Sequence, residues 1–189
     1  QLEGLEVINS QLKNLTAFLY SYHRLTHLPE PEYKTVSVPA LFTKLERLLQ
    51  AEPRSERVVY CDGKADRSTG KELQVYGDAN LLTLALINLI RNALQAVEGQ
   101  EDGIVRVDTC AGATGHLLII ITDNGPGIPP ERLSAIFTPF FSTKSGGSGI
   151  GLPISQRIMQ LHGGQLSVSS IPNVRTEFRM EFYYPHSKS

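Results

Sequence analysis

The segment Ala79–Val97 is apolar on nearly every side, and a helix of that kind has to be enclosed by other elements rather than laid on a surface. Leu82, Ala85, Leu86, Leu89, Ile90 and Ala93 supply core-facing residues, and Asp78 stands where a helix N-cap belongs. Against this background Asn88, Asn92 and Gln95 fall at i, i+4 and i+7, one line of carboxamides down a single face. A buried carboxamide without a partner costs about 1–3 kcal/mol. The line therefore faces either solvent or a polar ligand.

Around that helix the chain reads as strands and further helices. Val36 and Val38 form a short strand, and Pro39 opens a helix to about Ala51. Arg57–Cys61 and Glu72–Tyr76 read as strands joined by the polar turn Asp62–Lys71. Two more strands, Ile104–Cys110 and His116–Asp123, flank the loop Ala111–Gly115. Leu152–His162 is a helix closed by Gly163 and Gly164, and Gln165–Ile171 and Thr176–Tyr184 are closing strands. A sheet with segregated helices predicts an α+β domain, a two-layer α/β sandwich with a mixed sheet and helices on one face.

One helix precedes this domain. Leu5, Ile8, Leu12, Leu15, Leu19 and Tyr22 recur at alternating spacings of three and four, a heptad seam suited to a partner helix or to packing back on the domain. Pro29, Pro31 and Pro39 then interrupt the chain, and His27–Lys34 reads as a linker. The expected organisation is a helix over 1–28, a linker over 29–35 and a globular domain over 36–189.

Charge narrows the function. The 18 basic and 19 acidic residues leave a net charge of −1, with no surplus to follow a phosphate backbone, so nucleic acid is not an expected partner. The longest apolar stretch, Leu117–Thr122, is strand-sized, far short of the roughly 18 residues that cross a bilayer. No leader pattern opens the chain, and the lack of an initiating Met suggests a segment of a longer protein. Cys61 and Cys110 lack metal or redox spacing and read as buried thiols in a reducing compartment.

Three further segments carry chemistry. Leu117–Thr122 delivers Asp123 at its end, followed by Asn124, Gly125, Pro126, Gly127 and Ile128, which is either a plain turn or a place where a ligand meets backbone. Ser145–Gly151 holds four glycines in seven residues and runs into a helix N-terminus, an arrangement of N–H groups and helix dipole that cradles phosphate. It matches neither the Walker nor the Rossmann pattern. Between them Ile136–Lys144 places three aromatic rings and a lysine in a loop, either a lid or a hydrophobic anchor.

In this order the segments resemble the catalytic domain of sensor histidine kinases, within the ATPase superfamily shared with gyrase, Hsp90 and MutL. Asn88–Ala96 looks like the N box, Asp123–Gly127 the first glycine box, Phe137–Lys144 the F box, and Gly147–Leu152 the second glycine box. Thr176 opens a strand similar to the family's last one. The resemblance implies a Bergerat-type ATP-binding fold with ATP and Mg²⁺ as cofactors. Asp123 would accept from the adenine amino group, and Asn92 would hold the metal. Asn88 and Lys144 would join Asn92 as catalytic residues, with Lys144 on the terminal phosphate. Gln95, Ala96, Gly125, Gly127, Ile128, Phe137, Thr143, Gly147, Gly149, Ile150, Gly151, Leu152 and Thr176 would line the nucleotide. Two departures stand out: Gln95 occupies a position where many members place a phosphate-binding lysine, making Arg91 a candidate substitute, and Arg175 replaces a glycine before Thr176.

Hydrolysing relatives carry a glutamate one turn before the metal asparagine, as base for water; here Asn88 stands there, and an amide accepts no proton at neutral pH. The resemblance thus implies a protein-histidine kinase. None of His23, His27, His116, His162 or His186 has an acceptor's context, so the phosphate acceptor is expected on a dimerisation domain outside this chain, with residues 1–28 as the second helix of its hairpin. A response regulator receiver domain would be the second partner. The full-length protein would be a homodimer facing the cytoplasm, free or anchored in the inner membrane, and this chain alone a monomer or weak dimer. A nucleotide-binding regulatory module and a protein-serine kinase of the anti-sigma type are the alternatives.

Overall fold

A computed structural model of the chain describes residues 16, 27–61, 72–111, 116–142 and 148–183. The heptad helix over 1–28 apart from Thr16, His27 and Leu28, the turn Asp62–Lys71, and Thr143, Lys144 and Gly147 fall outside them.

β1 (Lys34–Ser37) starts inside the segment expected as linker and pairs antiparallel with β3 (Gln74–Gly77), Val36 opposite Val75. Val38 is not a strand residue. Ser37 accepts the Ala40 N–H at 3.1 Å through its hydroxyl, and Pro39 suits a first helical turn, so α1 runs Val38–Leu49. Val38, Leu41, Leu45 and Leu49 form its buried stripe.

The two strands expected as neighbours across Asp62–Lys71 belong to different sheets. β2 (Val58–Tyr60) pairs in parallel with β4 (Val105–Ala111), while β3 stays with β1. The physical reason lies just ahead of β2. The Arg57 guanidinium donates to Val97 O at 2.9 Å and Gln100 O at 2.7 Å, carbonyls at and just past the C-terminal end of α2 (Ala79–Ala96). A cation there meets the negative end of the helix dipole and holds β2 beside the chain entering β4.

β4 pairs antiparallel with β5 (Leu117–Asp123), β5 with β7 (Arg175–Phe182), and β7 with β6 (Gln165–Ile171). The five-stranded sheet has the order β2-β4-β5-β7-β6 and is mixed, as expected. Along β5, Leu117, Ile119, Ile121 and Asp123 are buried while the residues between them are half-buried. One face therefore meets the helices. Against it pack Leu82, Leu86, Leu89 and Ile90 of α2 and Ile154, Ile158 and Met159 of α4 (Gly151–Leu161). A single turn, α3 (Pro130–Leu133), lies between β5 and α4. α4 ends where the glycines predict: Gly163 takes a positive φ of 65°, and the Gly164 N–H returns to Met159 O at 2.9 Å.

The segment entering the domain is clasped at the start of α2 and the end of α4. The Glu32 N–H donates to Asp78 Oδ2 at 2.9 Å, and the Tyr33 hydroxyl donates to Leu161 O at 2.5 Å. The Tyr33 ring stacks on Tyr76 and meets His162 edge-on. His162 donates from Nδ1 to Ile158 O, which leaves Nε2 to accept the Asp78 N–H at 2.9 Å.

Asp78 also caps α2 by accepting from the Asn80 and Leu81 N–H groups. Burial works to raise its pKa, but the N–H groups of Glu32, Leu81 and Asn80 prevail and hold it below the ordinary carboxylate value. A depressed folded pKa contributes stability above the unfolded value, and that stability is lost as pH falls through the folded one. Asp78→Ala is expected to cost about 0.5–2 kcal/mol near neutral pH. Urea unfolding should show a lower midpoint at unchanged slope, and the difference from wild type should shrink below about pH 4, where the unfolded carboxylate takes up its proton.

Candidate functional site

Asp123 ends the inward-facing apolar row of β5, so its carboxylate sits at the rim of the core, 2 % exposed. The sheet register sets Thr176 of β7 opposite Asp123, and Ser170 of β6 opposite Thr176. Three oxygen-bearing side chains thus share one face across three adjacent strands. Asp123 Oδ1 accepts the Gly125 N–H at 2.9 Å, closing the first glycine loop on itself. Asn124 ties that loop to the chain before β4, accepting from Ile104 N and donating to Asp102 O.

The loop is packed tightly. Gly127 has φ +75°, and a Cβ there would stand 2.7 Å from Ile171 O. Gly125 leaves room for Ala96, whose Cβ would be 3.0 Å from an added Cβ. The last turn of α2 and the β6–β7 connection therefore close on the loop from two sides. Ile128 leaves it with its N–H donated to Ser170 Oγ at 2.8 Å.

The second half of the site is built by α2 and the N-terminus of α4. Asn88 Nδ2 donates to Gly151 O at 3.3 Å, and the Ser155 hydroxyl also reaches that carbonyl, at 3.0 Å. Asn92 lies half-buried one turn further along, Ala96 beside it at similar depth, and Gln95 is exposed. No side chain caps α4. The segment before it is held by backbone instead: Gly149 takes φ +65°, its carbonyl accepts the Phe140 N–H at 2.9 Å, and Phe140 itself has φ +66°. Ile150 is buried and Leu152 packs against the core, fixing the height of the helix end.

Two of the three rings in the aromatic loop anchor it to the core. Phe137 and Phe141 pack on the core, whereas Phe140 is exposed. Arg91, the candidate replacement for the absent lysine, is engaged elsewhere: its guanidinium pairs with Glu52, Nε to Oε1 at 3.0 Å. The structure gathers Asn88, Gly149, Ile150, Gly151 and Leu152 at one end of α4. It gathers Ala96, Asp123, Gly125, Gly127, Ile128 and Thr176 at the end of the sheet, and α2 joins the two groups. Among the described residues, no cluster of three His, Cys, Asp or Glu could hold a metal unaided. A carboxamide oxygen such as Asn92 Oδ1 fits a hard cation that takes most of its ligands from phosphate and water.

Sequence reasoning missed Ser170 and Ser155. Ser170 had a legible signal: in β6 the inward row reads Leu166, Val168, Ser170, with a hydroxyl where alternation calls for an apolar residue.

Comparison with known proteins fits this geometry. Residues 77–186 match the family model of histidine kinase-, DNA gyrase B- and HSP90-like ATPases. The sensor histidine kinase ZraS of Salmonella typhimurium is 42% identical over 98 residues, which is 52% of this chain and 21% of that protein. AtoS of Escherichia coli K12 is 31% identical over 95% of this chain and 27% of its own length. NtrB of Vibrio alginolyticus, a sensory histidine kinase/phosphatase, is 33% identical over 92% of this chain and 50% of its own. The chain thus spans a fifth to a half of these relatives. Among solved structures, the nucleotide-free catalytic domain of histidine kinase ThkA superposes with a TM-score of 0.65 at 28% identity, covering 80% of this chain and 95% of that one. ThkA in complex with the response regulator TrrA shares the fold at a TM-score of 0.71 and 22% identity, over 99% of this chain and 52% of that one.

Proposed function

Since the chain belongs to the histidine kinase-, DNA gyrase B- and HSP90-like ATPase family, we propose that it is the ATP-binding catalytic domain of a two-component sensor histidine kinase. It passes the γ-phosphoryl group of ATP to a histidine on a dimerisation domain outside this chain. The observation that carries this reading is Asn88. From α2 its side chain reaches the start of α4 and gives its amide proton to Gly151 O. An amide at this point holds the backbone of the phosphate loop but cannot accept a proton from water. ATP is therefore held and oriented, and its terminal phosphoryl group waits for another nucleophile.

The roles follow from chemistry. Asp123 takes the adenine amino group, whose protons suit a carboxylate. The N–H groups at the start of α4, among Gly149, Ile150, Gly151 and Leu152, face phosphate with the helix dipole behind them. Asn92 offers its amide oxygen to Mg²⁺, which when bound neutralises charge on the phosphates. Lys144 reaches the terminal phosphate, with Thr143, Gly147 and Phe137 in the loop that covers it; Gln95, Ala96, Gly125, Gly127, Ile128 and Thr176 complete the lining. Residues 1–28 form the second hairpin helix, the linker runs from 29 to the start of β1 at Lys34, and the catalytic domain follows. The response regulator is the downstream partner, in keeping with the ThkA–TrrA complex. The whole protein is a homodimer with this domain in the cytoplasm, and the isolated chain is a monomer or weak dimer.

The test is transfer of label from ATP, marked on its terminal phosphate, to a separately supplied dimerisation domain. Acid-labile, alkali-stable label on that domain is the expected result, and Asn92→Ala should lower Mg²⁺-dependent nucleotide affinity about tenfold, near 1.4 kcal/mol. Acid-stable label would make the protein a serine kinase. No label despite bound nucleotide would leave a regulatory module.

A further inference from the structure

Ser170 Oγ makes three polar contacts: Ile128 N at 2.8 Å, Arg175 O at 3.0 Å and Thr176 Oγ1 at 3.1 Å. A hydroxyl has one proton to give and two lone pairs to receive with. The Ile128 N–H can only donate, and the Arg175 carbonyl can only accept. If Ser170 gave its proton to Thr176, two bare oxygens would face each other across the 3.0 Å contact with Arg175. All three contacts are satisfied in one arrangement: Ser170 donates to Arg175 and accepts from both Ile128 and Thr176.

That arrangement commits the Thr176 proton to Ser170 and leaves Thr176 Oγ1 with lone pairs alone. Thr176 is 3 % exposed and lies directly opposite Asp123 in the β5–β7 register, on the same face. We propose that Ser170 is a positioning residue for base selection: by holding the Thr176 proton it makes the Asp123–Thr176 corner accept only. This rests on the reading of Asp123 as the base contact. A base that presents an amino group is received by the Asp123 carboxylate, whether or not a hydroxyl stands at 176. A base that presents a carbonyl finds no donor, because the one hydroxyl that could turn to meet it is tied to Ser170. Without Ser170, Thr176 regains a free proton and can serve a carbonyl.

The test is titration of non-hydrolysable ATP and ITP analogues, with Mg²⁺, into the wild-type chain and variants. The ITP analogue carries a carbonyl where ATP carries the amino group. Wild type should prefer the ATP analogue, and Ser170→Ala should cut that preference about fivefold, the worth of one recovered hydrogen bond. Adding Thr176→Val to Ser170→Ala should restore the preference, since no hydroxyl remains to serve the carbonyl. A merely structural role for Ser170 would not produce that recovery. Should Ser170→Ala fail to fold, Ser170→Cys keeps the size, loses the strong acceptor and is read the same way. An unchanged preference in the folded single variant, or no recovery in the double one, overturns the inference while leaving the nucleotide site standing. Wild type that binds neither analogue overturns both.

Discussion

Asp123→Asn should weaken binding of a non-hydrolysable ATP analogue about ten- to a hundredfold, with the domain still folded. Asp123 Oδ1 already accepts the Gly125 N–H at 2.9 Å, and the carboxylate is buried at the rim of the sheet. A carboxylate accepts at both oxygens, so in the proposed role it would receive the loop N–H and the base amino group together. An amide of the same shape cannot. If its oxygen keeps Gly125, its NH₂ opposes the amino group of the base. If it turns over, the NH₂ opposes the Gly125 N–H. One donor meets another either way, and losing a charge-assisted hydrogen bond costs about 1.5–3 kcal/mol. Calorimetric titration reads the affinity, and circular dichroism confirms the fold. Unchanged affinity would remove Asp123 from the base and with it the adenine reading of the whole sheet end.

Gly149→Ala should be as damaging through geometry alone. Gly149 has φ +65°, where an alanine is strained by about 1–2 kcal/mol. A Cβ there would also stand 2.5 Å from the Phe140 carbonyl carbon and 2.8 Å from Phe140 Cα. Those are backbone atoms of a residue itself at φ +66°, so they have no rotamer with which to retreat. Overpacking of this kind adds roughly 1–3 kcal/mol. The relief available is to part the aromatic loop from the start of α4, and nucleotide affinity should fall at least tenfold, since about 1.4 kcal/mol suffices for that. Gly163→Ala is the control. Gly163 has the same φ of +65° but open space around an added Cβ, so it should lose about 1 kcal/mol of stability and bind nucleotide normally. Equal losses of affinity in both would mean that strain in general, rather than the Phe140–Gly149 contact, governs the site.

What the sequence disclosed was local or periodic. α2 was legible because its apolar residues and its N-cap Asp78 agree, and its amide line reported a polar neighbour before that neighbour was known. Asp123 was legible because strand alternation carries it to the buried face at the last step. The partners of β2 and β3 were not legible. That choice rests on Arg57 reaching carbonyls 40 and 43 residues away, and no local pattern encodes such a reach. Arg91 was misread for the same reason: its nearness to the amide line is visible along the helix, but its partner Glu52 is 39 residues off. Strand alternation marks Ser170 as a hydroxyl on the inward row, but its role in ordering protons among three strands and a loop appears only once the register is known. In the aromatic loop the anchor reading holds for Phe137 and Phe141, which pack on the core, while Phe140 is exposed.

α4 is gripped at both ends by parts of the molecule with different duties. Its first residue touches Asn88 beside the second glycine segment, and the carbonyl of its last residue takes the Tyr33 hydroxyl from the incoming chain. Eleven residues of α-helix make a strut about 16 Å long that resists compression far better than the loops at its tips. The Tyr33 contact and the Asn88 contact therefore lie at opposite tips of one helix, about 16 Å apart. In the proposed function, a change in how the incoming segment sits on Leu161 would have a single helix through which to reach the end of α4 that faces phosphate.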